Sequence, residues 1–125
     1  MLPAAARLRD STQFRAAVAG GTRAGGQCVV VHLRLADQGD DAASATTPPE
    51  NPRVGFVVSK RVGNAVARNR VKRRLRHLSR PKLAGLPTGA HVVVRALPPA
   101  ADEANDLAGD LASAWTRALR KAGAC

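Results

Sequence analysis

Aromatic residues are nearly missing from this 125-residue chain: Phe14, Phe56 and Trp115 are all it has, and there is no tyrosine. Sheet-type single-strand binders stack bases on several aromatics, so that mode of nucleic-acid binding is excluded. Cysteine is as scarce. Cys28 falls in an apolar run and Cys125 is the last residue, which argues against a structural disulfide, and no Cys/His spacing suits a zinc site. No apolar run approaches the ~20 residues of a membrane span, and MLPAAARLRD lacks the apolar stretch of a signal peptide, so a cytoplasmic protein is expected. The length suits a single domain over residues 1–125 with one hydrophobic core.

Negative charge is absent between Glu50 and Asp102, while the net charge is +11. A basic middle flanked by acidic segments at 37–50 and 102–110 implies a polyanionic partner. A membrane surface fits poorly, because the most basic segment has no aromatics and its few apolar residues are needed by the core. Sixteen arginines stand against four lysines. The guanidinium fork reads phosphate bidentately, although a GC-rich genome would account for the same bias and for the many alanines.

Residues 1–9 show no pattern and are expected to be mobile. In DSTQFRAAVAGG, Asp10 or Ser11 can cap a short helix, Gln13 can complete a capping box, and Gly20 with Gly21 ends it. Phe14 and Val18 share its apolar face. CVVVHLRL from Cys28, RVGFVVS from Arg53 and AHVVVRAL from Ala90 read as strands. The polar, acidic, proline-containing segment 36–52 between the first two is expected to be a hairpin loop within the domain. Asn64 should cap a helix that Pro81 stops, with Ala67, Val71, Leu75 and Leu78 on one stripe. A last helix carries Leu107, Leu111, Ala114, Trp115 and Ala118 on its apolar face. Asp102, Glu103 and Asp106 are expected in its first turn and Arg117, Arg120 and Lys121 near its end, each sign matching the helix dipole. The order α-β-β-α-β-α gives an α+β fold, a two-layer sandwich in which helices cover a small sheet.

The helix over 64–80 carries the strongest functional signal. Outside its apolar stripe nearly every position is Arg or Lys, and Arg68, Lys72, Arg76 and Arg80 form an i,i+4 ladder of like charge. The three pairs together cost on the order of 1 kcal/mol, and a merely solvated face would interleave Glu to avoid this. A phosphate-binding face explains the missing carboxylates. Were six phosphates neutralised, the logarithm of affinity would fall with a slope of roughly −5 against log salt, about a thousandfold for a fourfold rise. A strand rather than a helix precedes this segment, which disfavours a helix-turn-helix. Residue chemistry therefore leads to an RNA-binding module that reads backbone.

The order of residues adds to this. FVVSKRVGNAVARNRVKRRLR resembles the signature of the protein subunit of bacterial ribonuclease P: a strand ending in Ser59-Lys60, then Gly63-Asn64-Ala65, then a helix with Arg68-Asn69-Arg70 and Lys72-Arg73. The likeness extends to the Phe14 helix and the VVVRA strand. It implies an α/β sandwich whose small sheet is mixed, with a crossover between parallel strands. It further implies an accessory subunit, since the RNA subunit would cut the 5′ leader from precursor tRNA with magnesium ions at its own active site. No metal site and no catalytic residue is expected in this chain.

By position, Arg68, Asn69, Arg70, Lys72, Arg73 and Arg76 would grip the RNA subunit. A cleft between the first helix and the sheet would hold the leader through Phe14, Ser59, Lys60, Arg61 and Asn64. Competing structural roles are a core position for Phe14, local capping for Ser59 and Asn64, and backbone freedom for Gly63. His77 reads as a solvated helix residue. Several relatives carry aromatics where this chain has Val18 and Val31, which would alter how leader bases stack. The protein alone is expected to be a monomer, one per RNA subunit. The alternatives are a structural ribonucleoprotein such as a ribosomal protein, a protein-only nuclease and a DNA-binding regulator.

Overall fold

Four strands and two long helices account for most of residues 21–35, 52–86, 89–102 and 104–122, which are those described by the computed structural model. The strands are β1 (Thr22–Gly25), β2 (Val29–Arg34), β3 (Arg53–Val58) and β4 (His91–Ala96). They form one sheet in the order β1-β2-β4-β3. The β1–β2 and β2–β4 pairs are antiparallel and β3–β4 is parallel, so the sheet is mixed. Helix α1 (Ala65–Ser79) lies in the crossover from β3 to β4, and α2 (Leu107–Lys121) follows β4. This is the expected α+β sandwich.

Period-two alternation in the strands sorts their residues between two faces. Val29, Val31 and Leu33 of β2 share one face with Val92, Val94 and Ala96 of β4 and with Val54 and Val58 of β3. All belong to a core completed by Val71 and Leu75 of α1 and by Leu107, Leu111, Ala114, Trp115 and Ala118 of α2. Val31 therefore lies in the helix-side core; the residue that β2 turns to the opposite face beside it is His32.

Three expectations need correction. TRAG forms an edge strand, which the order α-β-β-α-β-α does not include. The strands flanking segment 36–52 do not pair with each other, because β4 lies between them, so that segment does not close a two-strand hairpin. Helix α2 begins later than expected. Asp106 is its N-cap, accepting from the Gly109 amide at 2.9 Å, and the acid of its first turn is Asp110. Asp102 instead ends a 3-10 turn at Pro98–Ala101 and accepts from the Ala104 amide. The expected first helix with Phe14 and Val18, the N-terminal residues 1–9, Glu103 and all of segment 36–52 except Pro52 lie outside the described residues.

A carboxylate on α2 organises the turn from β1 to β2. Asp110 accepts from the Gln27 amide at 3.0 Å through Oδ1, and from the Cys28 and Val29 amides at 2.8 and 3.1 Å through Oδ2. A methyl group placed on Gly26 would run into that carboxylate, so glycine here permits a close approach. Burial, with Asp110 and Asp106 nearby, pushes the Cys28 thiol up, which keeps it protonated and unreactive.

Candidate nucleic-acid interface

The α1 surface begins at a tight corner. After β3 the chain makes one 3-10 turn, Lys60–Val62, and Gly63 then takes φ 156°. A Cβ at Gly63 would stand 2.9 Å from that of Ala67, so both conformation and space require glycine. Asn64 caps α1, its Oδ1 accepting from the Ala67 amide at 2.9 Å. The side-chain oxygen of this proposed leader residue is thus committed to the helix start. Ser59 makes no such cap bond, and it is exposed together with Lys60 and Arg61.

Along α1 the buried stripe is Val71, Leu75 and Ser79. Asn69, Arg70, Arg73 and His77 are exposed, and Lys72 and Arg76 are half-buried on the flank. The structure therefore gathers five of the six expected RNA-subunit residues on the outer face and one flank. Arg68 stands apart: seven residues before Leu75, it shares the inner stripe, and its Nε is buried without a hydrogen-bond partner. No acidic residue lies in the first turn to offset the helix's positive pole.

A second basic surface was not legible from motifs. The sheet face opposite the helix-side core carries three cross-strand rows. One runs Arg34, His91 and Arg53; the next runs Arg23, His32, Val93 and Gly55; the third runs Gly25, Val30, Arg95 and Val57. Direct partners in such rows stand about 5 Å apart at Cβ, so the arginines ring a low floor of valine and glycine. Val93 is 0% exposed yet is no part of the helix-side core, which places it in that floor. Lys60 and Arg61 follow β3 directly beyond the Val57 row. Phe14 lies outside the described residues, so the structure does not place it with this face. Alternation in VVVHLRL and HVVVRA signals the sheet arginines and histidines, but only the register shows that they converge.

His32 is 5% exposed and its Nδ1 has no hydrogen-bond partner. Burial, then the charges of Arg95 and Arg23, push its pKa below the ordinary 6.5. The native state therefore holds it neutral while the unfolded chain takes up a proton. Its contribution to stability is flat above pH ~6.5 and is lost as pH falls below, at up to ~1.4 kcal/mol per unit until the native group titrates. Urea midpoints at pH 7.5 and 5.5 should differ more for the unaltered protein than for His32→Gln; equal differences would assign the effect to other groups.

Among the described residues no three His, Cys, Asp or Glu side chains come together as metal ligands, and no helix is long and apolar enough to cross a membrane.

Known proteins resemble this chain along nearly its whole length. A family model described as Ribonuclease P matches residues 2–121. A ribonuclease P protein component from Nocardioides sp. is 53% identical over 124 residues, covering 99% of this chain and 97% of that protein. One from Streptomyces griseus is 54% identical over 120 residues, covering 95% and 96%. Among solved structures, the RNase P protein of Staphylococcus aureus superimposes with a TM-score of 0.66 at 23% identity, covering 94% of each chain. That of Thermotoga maritima gives 0.64 at 22% identity, covering 92% of this chain and 96% of the other. At such identities the structures speak for the fold.

Proposed function

The chain belongs to the family of bacterial ribonuclease P protein components, and from that premise we infer that it is the accessory subunit of a ribozyme that removes the 5′ leader of precursor tRNA. The RNA subunit carries the hydrolysis and holds its magnesium ions; this chain supplies positive charge and orientation. The ribosomal-protein, protein-only nuclease and DNA-regulator alternatives lose their support to the family match. The working compartment is the cytoplasm, and one monomer serves each RNA subunit.

The observation that carries the division of labour is the presence of two separate basic surfaces. The outer face and one flank of α1, through Asn69, Arg70, Lys72, Arg73 and Arg76, neutralise phosphates of the RNA subunit. Asn69 can both donate and accept there, where arginine only donates. Arg68, held on the inner stripe, supports the helix against the body of the protein. The sheet face takes the leader: Arg23, Arg34, Arg53 and Arg95, with Lys60 and Arg61 at one end, meet its phosphates. Phe14 and Ser59 remain leader candidates, and Asn64 contributes through its amide nitrogen.

The test is cleavage of a precursor tRNA by a bacterial ribonuclease P RNA at low magnesium, with and without this protein. Restored cleavage with the protein, and none by the protein alone, is the expected result. Binding to the RNA without any gain in cleavage would reduce the protein to a general RNA binder.

A further inference from the structure

Among the described residues, strand β1 is the outermost strand of the sheet and pairs only with β2. Helix α2 fastens it at successive points. Lys121 Nζ donates to the Arg23 carbonyl at 2.9 Å, and Arg117 Nη2 donates to the Gly25 carbonyl at 2.9 Å. Asp110 receives the amides of the following turn. The spacing has a geometric cause: four helical residues rise about 6 Å, close to the two-residue repeat of a strand, so side chains one turn apart meet alternate carbonyls. Cations at a helix end have a ready explanation in the dipole, yet these two are bound to backbone rather than left to the solvent.

What β1 carries on its other side gives the fastening its purpose. Arg23 pairs with His32 across the strands and is exposed on the basic sheet face. We propose that Arg117 and Lys121 are positioning residues that, by holding the carbonyls of Gly25 and Arg23, fix the Arg23 guanidinium where it contacts the precursor's leader. This rests on assigning the sheet face to the leader. Neither residue touches RNA in this account; each acts through Arg23.

The experiment uses the reconstituted holoenzyme and reads its preference for precursor over mature tRNA, together with affinity for the RNA subunit. Methionine cannot donate to a carbonyl, whereas glutamine can donate without charge. Arg117→Met with Lys121→Met should lower the preference about fourfold, the worth of one single-strand phosphate contact near 0.15 M salt. The Gln pair should restore it, RNA-subunit affinity should hold throughout, and the Met pair should add nothing once Arg23 is Ala. Single Lys121→Met and Lys121→Gln variants give the same comparison if the Met pair is too unstable to assemble. A Gln pair as poor as the Met pair would show that the charges contact RNA directly and overturn the proposal. So would a full Met-pair loss added to that of Arg23→Ala, or an unchanged preference in the Met pair while Arg23→Ala lowers it. If Arg23→Ala itself changes nothing, the contribution of Arg23 to the leader surface fails first and this proposal with it.

Discussion

Arg73→Ala combined with Arg76→Ala is expected to weaken binding to the RNA subunit about thirtyfold at 0.15 M salt and to have almost no effect near 1 M. Two lost phosphate contacts reduce the slope of log affinity against log salt by about 1.8, and at 0.15 M that amounts to roughly one and a half decades. The free protein should be no less stable, because the change removes like-charge neighbours such as Lys72 with Arg76 and Arg76 with Arg80. Alanine is also a slightly better helix former than arginine, so a gain of a few tenths of a kcal/mol is expected. Affinity titrations at several salt concentrations, paired with urea denaturation, separate the two effects. A loss independent of salt would contradict a phosphate-binding role for this flank of α1.

The second large effect is on stability. Asp110→Ala leaves the Cys28 and Val29 amides without their acceptor in a partly buried turn, and frees Gln27 to water. Hydrogen bonds to a charged group contribute about 1.5–3 kcal/mol and a buried orphan amide costs about as much, so a loss of roughly 3 kcal/mol is expected in equilibrium urea unfolding. Asp110→Asn keeps an acceptor without the charge and should fall between. A loss below about 1 kcal/mol would mean that these amides find other partners when the carboxylate is removed. The outer side of α1 is remote in sequence from this turn, so the two predictions are separately testable.

The difference between these sites also explains what the sequence made legible. Helix α1 was readable because its determinants are local: the Asn64 cap, the spacing of Ala67, Val71 and Leu75, and a stop at Pro81 place it within a residue of the observed Ala65–Ser79. The three longer strands were equally plain in their β-branched runs. Strand β1 was not, because TRAG has a single β-branched residue and is bounded by glycine. It is a strand through its pairing with β2, and its fastening comes from Asp110, Arg117 and Lys121, more than 80 positions away along the chain. The same non-locality hid the strand order. Nothing near 36–52 shows that β4 will insert between the strands on either side, and without that register Arg34, His91 and Arg53 look like scattered polar residues. For Arg68 the reverse holds: the motif is plain, but helical phase puts this member of Arg68-Asn69-Arg70 on the inner stripe. Charge patterning thus points to a polyanionic partner, while the placement of the second surface depended on pairings that local patterns do not encode.

Two surfaces serving two RNAs are the central claim, and directed hydroxyl-radical probing tests it most directly. In a background with both cysteines replaced, an iron chelate is attached either at Val66→Cys, on the exposed side of α1 where the native residue is 67% exposed, or at Arg95→Cys on the sheet face. With the holoenzyme bound to precursor tRNA, the α1 probe should cut the RNA subunit and the sheet probe should cut the 5′ leader. Cuts confined to the RNA subunit from both positions would contradict the account, because the sheet face would then be a second grip on the ribozyme instead of the place where its substrate lies.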